Sequence, residues 1–105
     1  MAKLLNNFVF TAPIAVALDT YSFAEDLGVD RAALAQVLAQ GSGGSRGAAI
    51  IAAANFDITG IRSHAGLLHK DVGIMREVAE ARGCAPPDAL VGLTDHGLDL
   101  LADTL

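Results

Sequence analysis

The sequence contains no tryptophan, one cysteine and fewer basic than acidic side chains, with 7 lysines and arginines against 12 aspartates and glutamates. The formal net charge of -5 and the sequence pI near 4.8 argue against nucleic acid or an anionic membrane as the main partner, because both attract surfaces rich in lysine and arginine. The single cysteine, Cys84, has no second cysteine for an internal disulfide. This usage fits a reducing compartment, and we expect the protein to be cytoplasmic.

The sequence also lacks a long uninterrupted apolar run. No stretch approaches the roughly 20 apolar residues of a membrane-spanning helix, so we expect no membrane partner. Residues 8–18 resemble the apolar part of a secretory signal, and residues 15–17 fit its cleavage pattern. Thr11 and Pro13 interrupt that run, and two asparagines precede it. These features favour a helix of the folded protein over a signal peptide.

Alanine and leucine are abundant. Hydrophobic residues make up 52% of the 105 residues, and the scarcity of β-branched runs favours helix over strand. A chain of this length forms one domain with a core of its own. The mean hydropathy of +0.44 is high for a small monomer, so we expect part of the apolar surface to face another chain or domain.

The apolar periodicity predicts an all-α bundle of about five helices. The helices are predicted over residues 2–27, 31–40, 46–54, 65–82 and 86–102, with residues 56–63 as an irregular connection. The first helix carries apolar residues around its whole circumference, which predicts that it is buried on all sides. Pro13 predicts a kink in this helix, and Gly28 predicts its end. Asp30 is expected to cap the second helix. The inward residues of that helix are predicted to be Ala33, Leu34, Val37 and Leu38.

The glycine-rich segment GSGGSRG, residues 41–47, has the composition of a dinucleotide phosphate loop. Such a loop follows a strand and directs a helix N-terminus at the pyrophosphate. Here the preceding residues 33–40, ALAQVLAQ, have a helical pattern instead. We therefore interpret the segment as a turn between two helices, with Ser42 or Ser45 as the cap of the second.

A polar cluster, KLLNN, occupies residues 3–7 at the head of the apolar first helix. Lys3 and Asn7 are four residues apart and therefore share one helix face, with Asn6 one position round. Lysine offers a cation that can also act as an acid or base, and asparagine offers an amide that can orient a hydroxyl or carboxylate. The spacing alone leaves two interpretations of this cluster open. It is either half of an active site or the solvated start of a helix.

A second polar pair, Lys70-Asp71, lies in the middle of a predicted helix between apolar residues. A solvated helix face is the default interpretation of any single pair of this kind. Three histidines and Cys84 raise the question of a metal site. No two of them have the i,i+4 spacing of a helical zinc site, since His64 and His69 are five residues apart. We therefore predict no metal site.

The order and spacing of these motifs resemble the C-terminal helical domain of the β-hydroxyacid dehydrogenases, the family of 3-hydroxyisobutyrate dehydrogenase and tartronate semialdehyde reductase. In that family a long helix begins Lys-x-x-Asn-Asn, which matches residues 3–7, and carries an acidic residue further on, here Asp19. A Gly/Ser-rich turn follows, matching residues 41–47, and then a Lys-Asp pair before apolar residues, matching Lys70-Asp71. The resemblance covers essentially the whole chain. It implies a bundle similar to the C-terminal domain of 6-phosphogluconate dehydrogenase.

The resemblance implies an oxidoreductase that uses NAD or NADP to oxidise a small 3-hydroxy acid or to reduce the matching semialdehyde. It implies that Lys3 is the catalytic general acid/base and that Asn7 binds and positions the substrate, with help from Asn6. It implies that Lys70 binds the cofactor. Asp71 is expected to orient Lys70 or to cap local structure.

The resemblance also implies that residues 1–105 form the substrate-binding and dimerisation domain. The cofactor would be bound mainly by an N-terminal Rossmann domain that these residues do not contain. The expected partners are that Rossmann domain, further copies in a homodimer or higher homo-oligomer, and a small hydroxy acid. The isolated chain is then expected to be inactive. Two alternatives are a non-catalytic helical oligomerisation module, which has no use for Lys3, and a small ligand-binding module.

Overall fold

The structure, a computed structural model that describes residues 1–102, consists of six α-helices. Their bounds are α1 Ala2–Asp26, α2 Arg31–Gln40, α3 Arg46–Ala53, α4 Thr59–Arg62, α5 Ala65–Ala81 and α6 Asp88–Leu101. No strand occurs within residues 1–102, so the predicted all-α fold with a long first helix is confirmed. The additional element is α4, a single turn inside the segment that was expected to be irregular. None of the six helices combines the length and apolar character that a membrane crossing requires.

Short polar side chains fix where α2 and α3 begin. The Asp30 carboxylate accepts a hydrogen bond from the Ala33 N–H at 3.2 Å. The Ser45 hydroxyl oxygen accepts one from the Ala48 N–H at 3.0 Å. Each bond satisfies one of the backbone donors that a helix start leaves without an intrahelical partner. The predicted cap at Asp30 is confirmed, and Ser45 is the cap of α3.

Glycines in the left-handed backbone conformation end α1 and α5. The φ angle is 75° at Gly28 and 67° at Gly83. At the end of α1 the Gly28 N–H donates to the Glu25 carbonyl at 3.0 Å, and the Val29 N–H donates to the Ala24 carbonyl at 2.8 Å. This pair of bonds is a Schellman motif, and glycine adopts its left-handed position without steric cost. The predicted end of α1 at Gly28 is therefore confirmed.

Helix α1 is the centre of the bundle and contacts α2, α3, α5 and α6. Two groups of buried apolar side chains pack along it. The group near its N-terminus contains Phe8, Val72, Met75 and Leu98. The group further along contains Ile14, Ala17, Tyr21, Ala48, Ile51 and Leu101. Because both groups include α1 residues, the position of α1 sets the positions of its neighbours.

Two glycines allow neighbouring helices to approach the backbone of α1. A Cβ atom at Gly97 of α6 would overlap the Thr11 carbonyl oxygen and lie 3.0 Å from the Thr11 carbonyl carbon. A Cβ atom at Gly47 of α3 would lie 3.1 Å from the Pro13 carbonyl carbon and from the Ile14 nitrogen. Both glycines are buried. The close contacts of α3 and α6 with this one turn of α1 therefore depend on the absence of side chains at positions 47 and 97.

The prediction that α1 is buried on all sides is wrong for the single chain. Four apolar residues of α1 are exposed, with exposed fractions of 46% for Leu5, 39% for Val9, 51% for Val16 and 61% for Phe23. At about 100° per residue they fall within about 40° of one another around the helix. The neighbouring helices leave this strip uncovered, and we call it the α1 apolar face.

The burial predicted for α2 is only half right. Leu34 and Leu38 pack against the core, whereas Ala33 and Val37 are exposed. The reason is that α2 packs mainly against α3 and α1, so a narrow stripe of its surface is covered. Helix α1 continues through Pro13 without interruption, and the kink expected at Pro13 stays a prediction.

Candidate functional site

An open cleft of about 730 Å³ lies between α1, α3, α4 and α5. Its larger apolar lining residues come from all four helices and are Phe10, Ile50, Ile61, Leu67 and Leu68. Its polar and charged lining residues are Asn6, Asn7, Arg46, Asp57, His64 and Asp71. A mostly apolar concave site with a few convergent polar groups is the usual form of a small-molecule site. We therefore take this cleft as the candidate functional site.

A side-chain hydrogen bond joins α1 to α5 at the edge of the cleft. The Asn7 amide nitrogen donates to Asp71 Oδ2 at 2.8 Å, and both side chains are half-buried. The Asn6 amide nitrogen donates to Asn7 Oδ1 at 3.3 Å. Because a carboxylate acceptor strengthens a hydrogen bond, the Asn7 side chain is held in one orientation.

Asp71 does not have the partner that the sequence suggested. We expected it to orient Lys70 or to cap local structure, and it accepts a hydrogen bond from Asn7 instead. Among residues 1–102, the Lys70 side chain has no hydrogen-bond or ion-pair partner. The physical reason is that Asp71 lies on the face of α5 that meets α1, whereas Lys70 is one residue round the helix and exposed.

Lys3 is not among the residues that line the cleft. It is exposed and lies one helical turn before Asn7 on α1. At about 100° per residue, Lys3, Asn7 and Phe10 fall within about 60° of one another. These three residues therefore form one strip that runs from the exposed end of α1 into the cleft.

The two lysines of the chain are both neighbours of the same hydrogen bond. Lys3 is one turn from Asn7 on α1, and Lys70 directly precedes Asp71 on α5. The structure thus brings Asn6, Asn7 and Asp71 together in the cleft. It leaves Lys3 and Lys70 exposed beside them.

Three charged or titratable residues of the cleft were not selected from the sequence as ligand-binding residues. Arg46 comes from the start of α3, Asp57 from the turn before α4, and His64 from the start of α5. No spacing rule links them, because each belongs to a different element and the fold alone brings them together. Asp57 accepts hydrogen bonds from the Thr59 hydroxyl at 2.6 Å and from the Thr59 N–H at 3.0 Å. The bonds from the Thr59 side chain and backbone lower the pKa of the Asp57 carboxyl.

An unusual turn places Asp57 beside the cleft. Asn55 and Phe56 have φ angles of 54° and 64°, and a bulky side chain is rarely found in this left-handed region. The Phe56 ring packs edge-on against Tyr21, with centroids 5.0 Å apart. The Arg31 guanidinium lies 4.6 Å from the centroid of the same ring. These two contacts hold the Phe56 side chain against the core.

The glycine-rich segment is a turn between helices, as predicted, and its glycines have a packing role. A Cβ atom at Gly44 would overlap the Leu38 carbonyl oxygen, and a Cβ atom at Gly41 would lie 2.9 Å from the Val37 carbonyl oxygen. The segment therefore folds back tightly on the C-terminal end of α2. Since no strand precedes it, it lacks the strand-turn-helix geometry that holds a dinucleotide pyrophosphate.

The described part of the chain contains no group of three or more histidine, cysteine, aspartate or glutamate side chains placed to hold a metal ion. The His96 imidazole instead lies 2.8 Å from the Asp19 carboxylate, on an exposed surface between α6 and α1. Asp19, the acidic residue noted on the first helix, is therefore not part of the cleft lining.

A family model described as NAD-binding of NADP-dependent 3-hydroxyisobutyrate dehydrogenase matches residues 1–92. The match includes all of α1 to α5 and the first turn of α6, and therefore every residue of the cleft. No curated protein and no solved structure matches the chain.

Proposed function

The chain belongs to the β-hydroxyacid dehydrogenase family, and we propose that it is the C-terminal, substrate-binding domain of such an enzyme. The reaction is the oxidation of a 3-hydroxy acid, or the reduction of the matching semialdehyde, with NAD or NADP. The single observation that carries the proposal is the Asn7–Asp71 hydrogen bond of 2.8 Å at the edge of the cleft. It holds the first turns of α1 against α5 at the edge of a concave apolar site, and Lys3 precedes Asn7 by one helical turn.

We assign the proton transfer to Lys3. When the substrate is oxidised, the Lys3 amine accepts the proton of the substrate hydroxyl as the carbonyl forms, and it returns that proton in the reverse direction. Asn7 donates one amide hydrogen to Asp71 and has a second with which to orient the substrate oxygen. Asn6 supports Asn7 through the amide contact of 3.3 Å. A nicotinamide cofactor, when bound, supplies or accepts the hydride.

The side chains near the Asn7–Asp71 bond suit the reactive end of a nicotinamide cofactor better than its phosphates. We propose that Lys70 meets the cofactor, because its cation is exposed directly beside Asp71. The helices α1 to α6 contain no strand-turn-helix unit that could hold the pyrophosphate of the cofactor. We therefore propose a Rossmann domain as the partner that completes the site. The isolated chain would then neither bind NAD measurably nor transfer hydride.

The direct test joins this chain to the Rossmann domain of a β-hydroxyacid dehydrogenase and measures hydroxy-acid-dependent formation of reduced cofactor. We expect turnover in the joined protein and none in the isolated chain. Replacing Lys3 by alanine is expected to lower kcat by about a hundredfold to ten-thousandfold, which is the usual contribution of a positioned acid/base. Arg82→Ala, which removes an exposed cation at the end of α5, is the matched control and should retain activity. Unchanged turnover in Lys3→Ala would refute the assigned role.

A second candidate is a non-catalytic oligomerisation module. The observation that favours it is the α1 apolar face, because four large or branched apolar side chains on one helix face are uncovered in the single chain. We propose that this face meets a further copy of the chain, and such association is compatible with either function. The Lys3→Ala comparison separates them, since an oligomerisation module has no use for the amine.

A further inference from the structure

The pairing of charged side chains around the cleft bears on how the substrate is recognised. We infer that Arg46 binds an anionic oxygen group in the cleft, and that this group is the carboxylate of the hydroxy acid. The substrate hydroxyl then lies at the Asn7 end of the cleft and its carboxylate at the α3 wall. The inference rests on the proposed function and adds to it a residue that determines specificity.

The cations of the chain divide into those with a partner and those without one. Of the 7 lysines and arginines, Arg31 and Arg76 form ion pairs of 2.9 and 2.7 Å, and Arg62 also has a partner. Within residues 1–102 the others have no hydrogen-bond or ion-pair partner for the side chain, and they are Lys3, Arg46, Lys70 and Arg82. Arg46 lines the cleft, and both lysines are exposed beside it. The unpaired cations are therefore concentrated at the cleft, with Arg82 as the exception.

The carboxylates that line the cleft already have hydrogen-bond donors, whereas the arginine has no acceptor. Asp71 accepts a hydrogen bond from Asn7, and Asp57 accepts two from Thr59. The Arg46 guanidinium offers five N–H donors, and no residue in the described part of the chain accepts from them. With the histidine neutral and the two neighbouring lysines included, three cations and two carboxylates surround the cleft. The cleft therefore has a local excess of positive charge in a chain whose net charge is -5.

The start of α3 fixes the backbone of Arg46 at the cleft. Ser45 caps the helix, and Gly47 packs against the backbone of α1 at Pro13. Arg46 lies between these two residues, so its position along α1 is set by both. Pro13 follows Asn7 by six residues, a rise of about 9 Å along the helix. The exposed Arg46 side chain is long and has no partner inside the chain, so it can extend along the cleft towards a ligand at Asn7.

Arginine suits a carboxylate better than the two lysines do. Its guanidinium is always charged, and its planar fork of N–H donors binds both carboxylate oxygens at once. Lys3 is assigned to the proton transfer and Lys70 to the cofactor. Arg46 is therefore the cation of this site that is left to hold the second functional group of a hydroxy acid.

The nicotinamide end of the cofactor shares this cleft, and its charge differs from that of the substrate. The oxidised nicotinamide ring is a cation, which a guanidinium repels. The phosphates of the cofactor are assigned to the Rossmann domain. The anionic group that meets Arg46 is therefore the substrate carboxylate. An acidic side chain of the Rossmann domain is the competing partner of Arg46, and an uncharged substrate analogue distinguishes the two.

The first experiment measures binding to the chain itself and requires no turnover. 3-Hydroxybutanoate and its uncharged amide, 3-hydroxybutanamide, are titrated into isotope-labelled protein, and the Nε–H resonances of the arginines are followed by NMR. We expect the acid to shift the Arg46 resonance, the amide to leave it unchanged, and the Arg82 resonance to respond to neither. Arg46→Gln should raise the Kd of the acid up to about fivefold, the usual limit for an exposed ion pair, and Arg82→Gln should not change it.

Two results of this titration would overturn the inference. One is an Arg46 resonance that 3-hydroxybutanoate leaves unchanged or that the acid and the amide shift equally. The other is an Arg46 resonance that responds to NADP and not to the acid, which would assign the cation to a cofactor phosphate.

The second experiment compares the acid and the amide as substrates of the joined protein. Arg46→Gln should lower kcat/KM for 3-hydroxybutanoate by about tenfold to a hundredfold, the usual contribution of a hydrogen bond to a charged group, and leave kcat/KM for the amide unchanged. Arg46→Lys keeps the charge without the fork and should retain part of the activity towards the acid. Arg82→Gln removes an exposed cation outside the cleft and is the matched control. Equal losses for acid and amide in Arg46→Gln would assign Arg46 to the docking of the Rossmann domain and overturn the inference.

Failure of this inference is distinguishable from failure of the proposed function. Turnover of 3-hydroxybutanoate in the joined protein, with no loss on replacing Arg46 by glutamine, would support the proposed function and overturn the inference. Binding of the acid that depends on Arg46, in a joined protein without turnover, would support the anion site and refute the dehydrogenase function.

Discussion

Replacing Gly97 by alanine is expected to destabilise the fold by about 2 kcal/mol. A methyl group at this buried position of α6 would overlap the Thr11 carbonyl oxygen and lie 3.2 Å from Thr11 Cβ. The overlapping oxygen belongs to a helix backbone and cannot rotate away as a flexible side chain would. The two helices must therefore move apart at their closest contact, which also loosens the packing of Leu98 and Phe8.

The magnitude follows from two opposing effects. Overpacking of a well-packed contact costs about 1–3 kcal/mol, and a clash with backbone belongs at the upper end of that range. Alanine gains about 1 kcal/mol over glycine from helix propensity. The difference is a net loss of about 2 kcal/mol, which a domain with a typical stability of about 5–15 kcal/mol survives.

The same helix offers a matched control at Gly92. This residue is exposed, and a Cβ atom there would meet nothing within 4 Å. Gly92→Ala should therefore gain the helix propensity without the clash and stabilise the protein by about 1 kcal/mol. The two substitutions are chemically identical and differ in the neighbour that the methyl group meets.

Urea unfolding followed by circular dichroism measures both variants. The predicted stabilities differ by about 3 kcal/mol, which corresponds to about 2 M urea between the two midpoints at an m-value of about 1.5 kcal/mol/M. Equal midpoints for the two variants would refute the close contact of α6 with Thr11. A midpoint for Gly97→Ala above that of wild type would refute it as well.

Two further predictions concern the head of α1 and its apolar face. In a double-mutant cycle, Asn7→Ala and Asp71→Ala are expected to show a coupling of about 1.5 kcal/mol in the free energy of unfolding. As the control, the effects of Lys70→Ala and Asp71→Ala on the free energy of unfolding should be additive. Additive effects of Asn7→Ala and Asp71→Ala would contradict the hydrogen bond. Sedimentation of the wild type should show a dimer or larger species that Val16→Asp dissociates and Val37→Asp does not, and a wild-type monomer at high concentration would contradict the proposed role of the α1 apolar face.

Helix boundaries were predictable because local chemistry determines them. A capping carboxylate at Asp30, a capping hydroxyl predicted at Ser42 or Ser45 and found at Ser45, and a left-handed glycine at Gly28 each act within a few residues of their own position. The turn at Phe56 was not predictable in the same way. Its left-handed backbone is held by Tyr21 and Arg31, which are distant in sequence, so no local pattern indicates it.

In the candidate site too, features set by local sequence were predictable and features set by tertiary packing were not. The position of Asn7 as a polar residue on an apolar helix could be read from spacing, but its partner could not. Asp71 lies 64 residues away, and the packing of α1 on α5 brings the two side chains together. Arg46 and Asp57 likewise reach the cleft through the fold, with nothing in their own segments to show that they share a cavity.

The glycine contacts at Thr11 and Pro13 have a consequence for the chemistry at the far end of the helix. Lys3 lies eight residues from Thr11 on an unbroken helix, a span of about 12 Å. A rigid rod passes an axial displacement at one point to every other point along it. An ångström of slippage at positions 47 or 97 would therefore displace the backbone of Lys3 by a similar distance, and misplacement of an acid/base on that scale can cost about a hundredfold in rate. The alignment of the proposed acid/base therefore depends on Gly47 and Gly97, which have no side chain and lie outside the cleft lining.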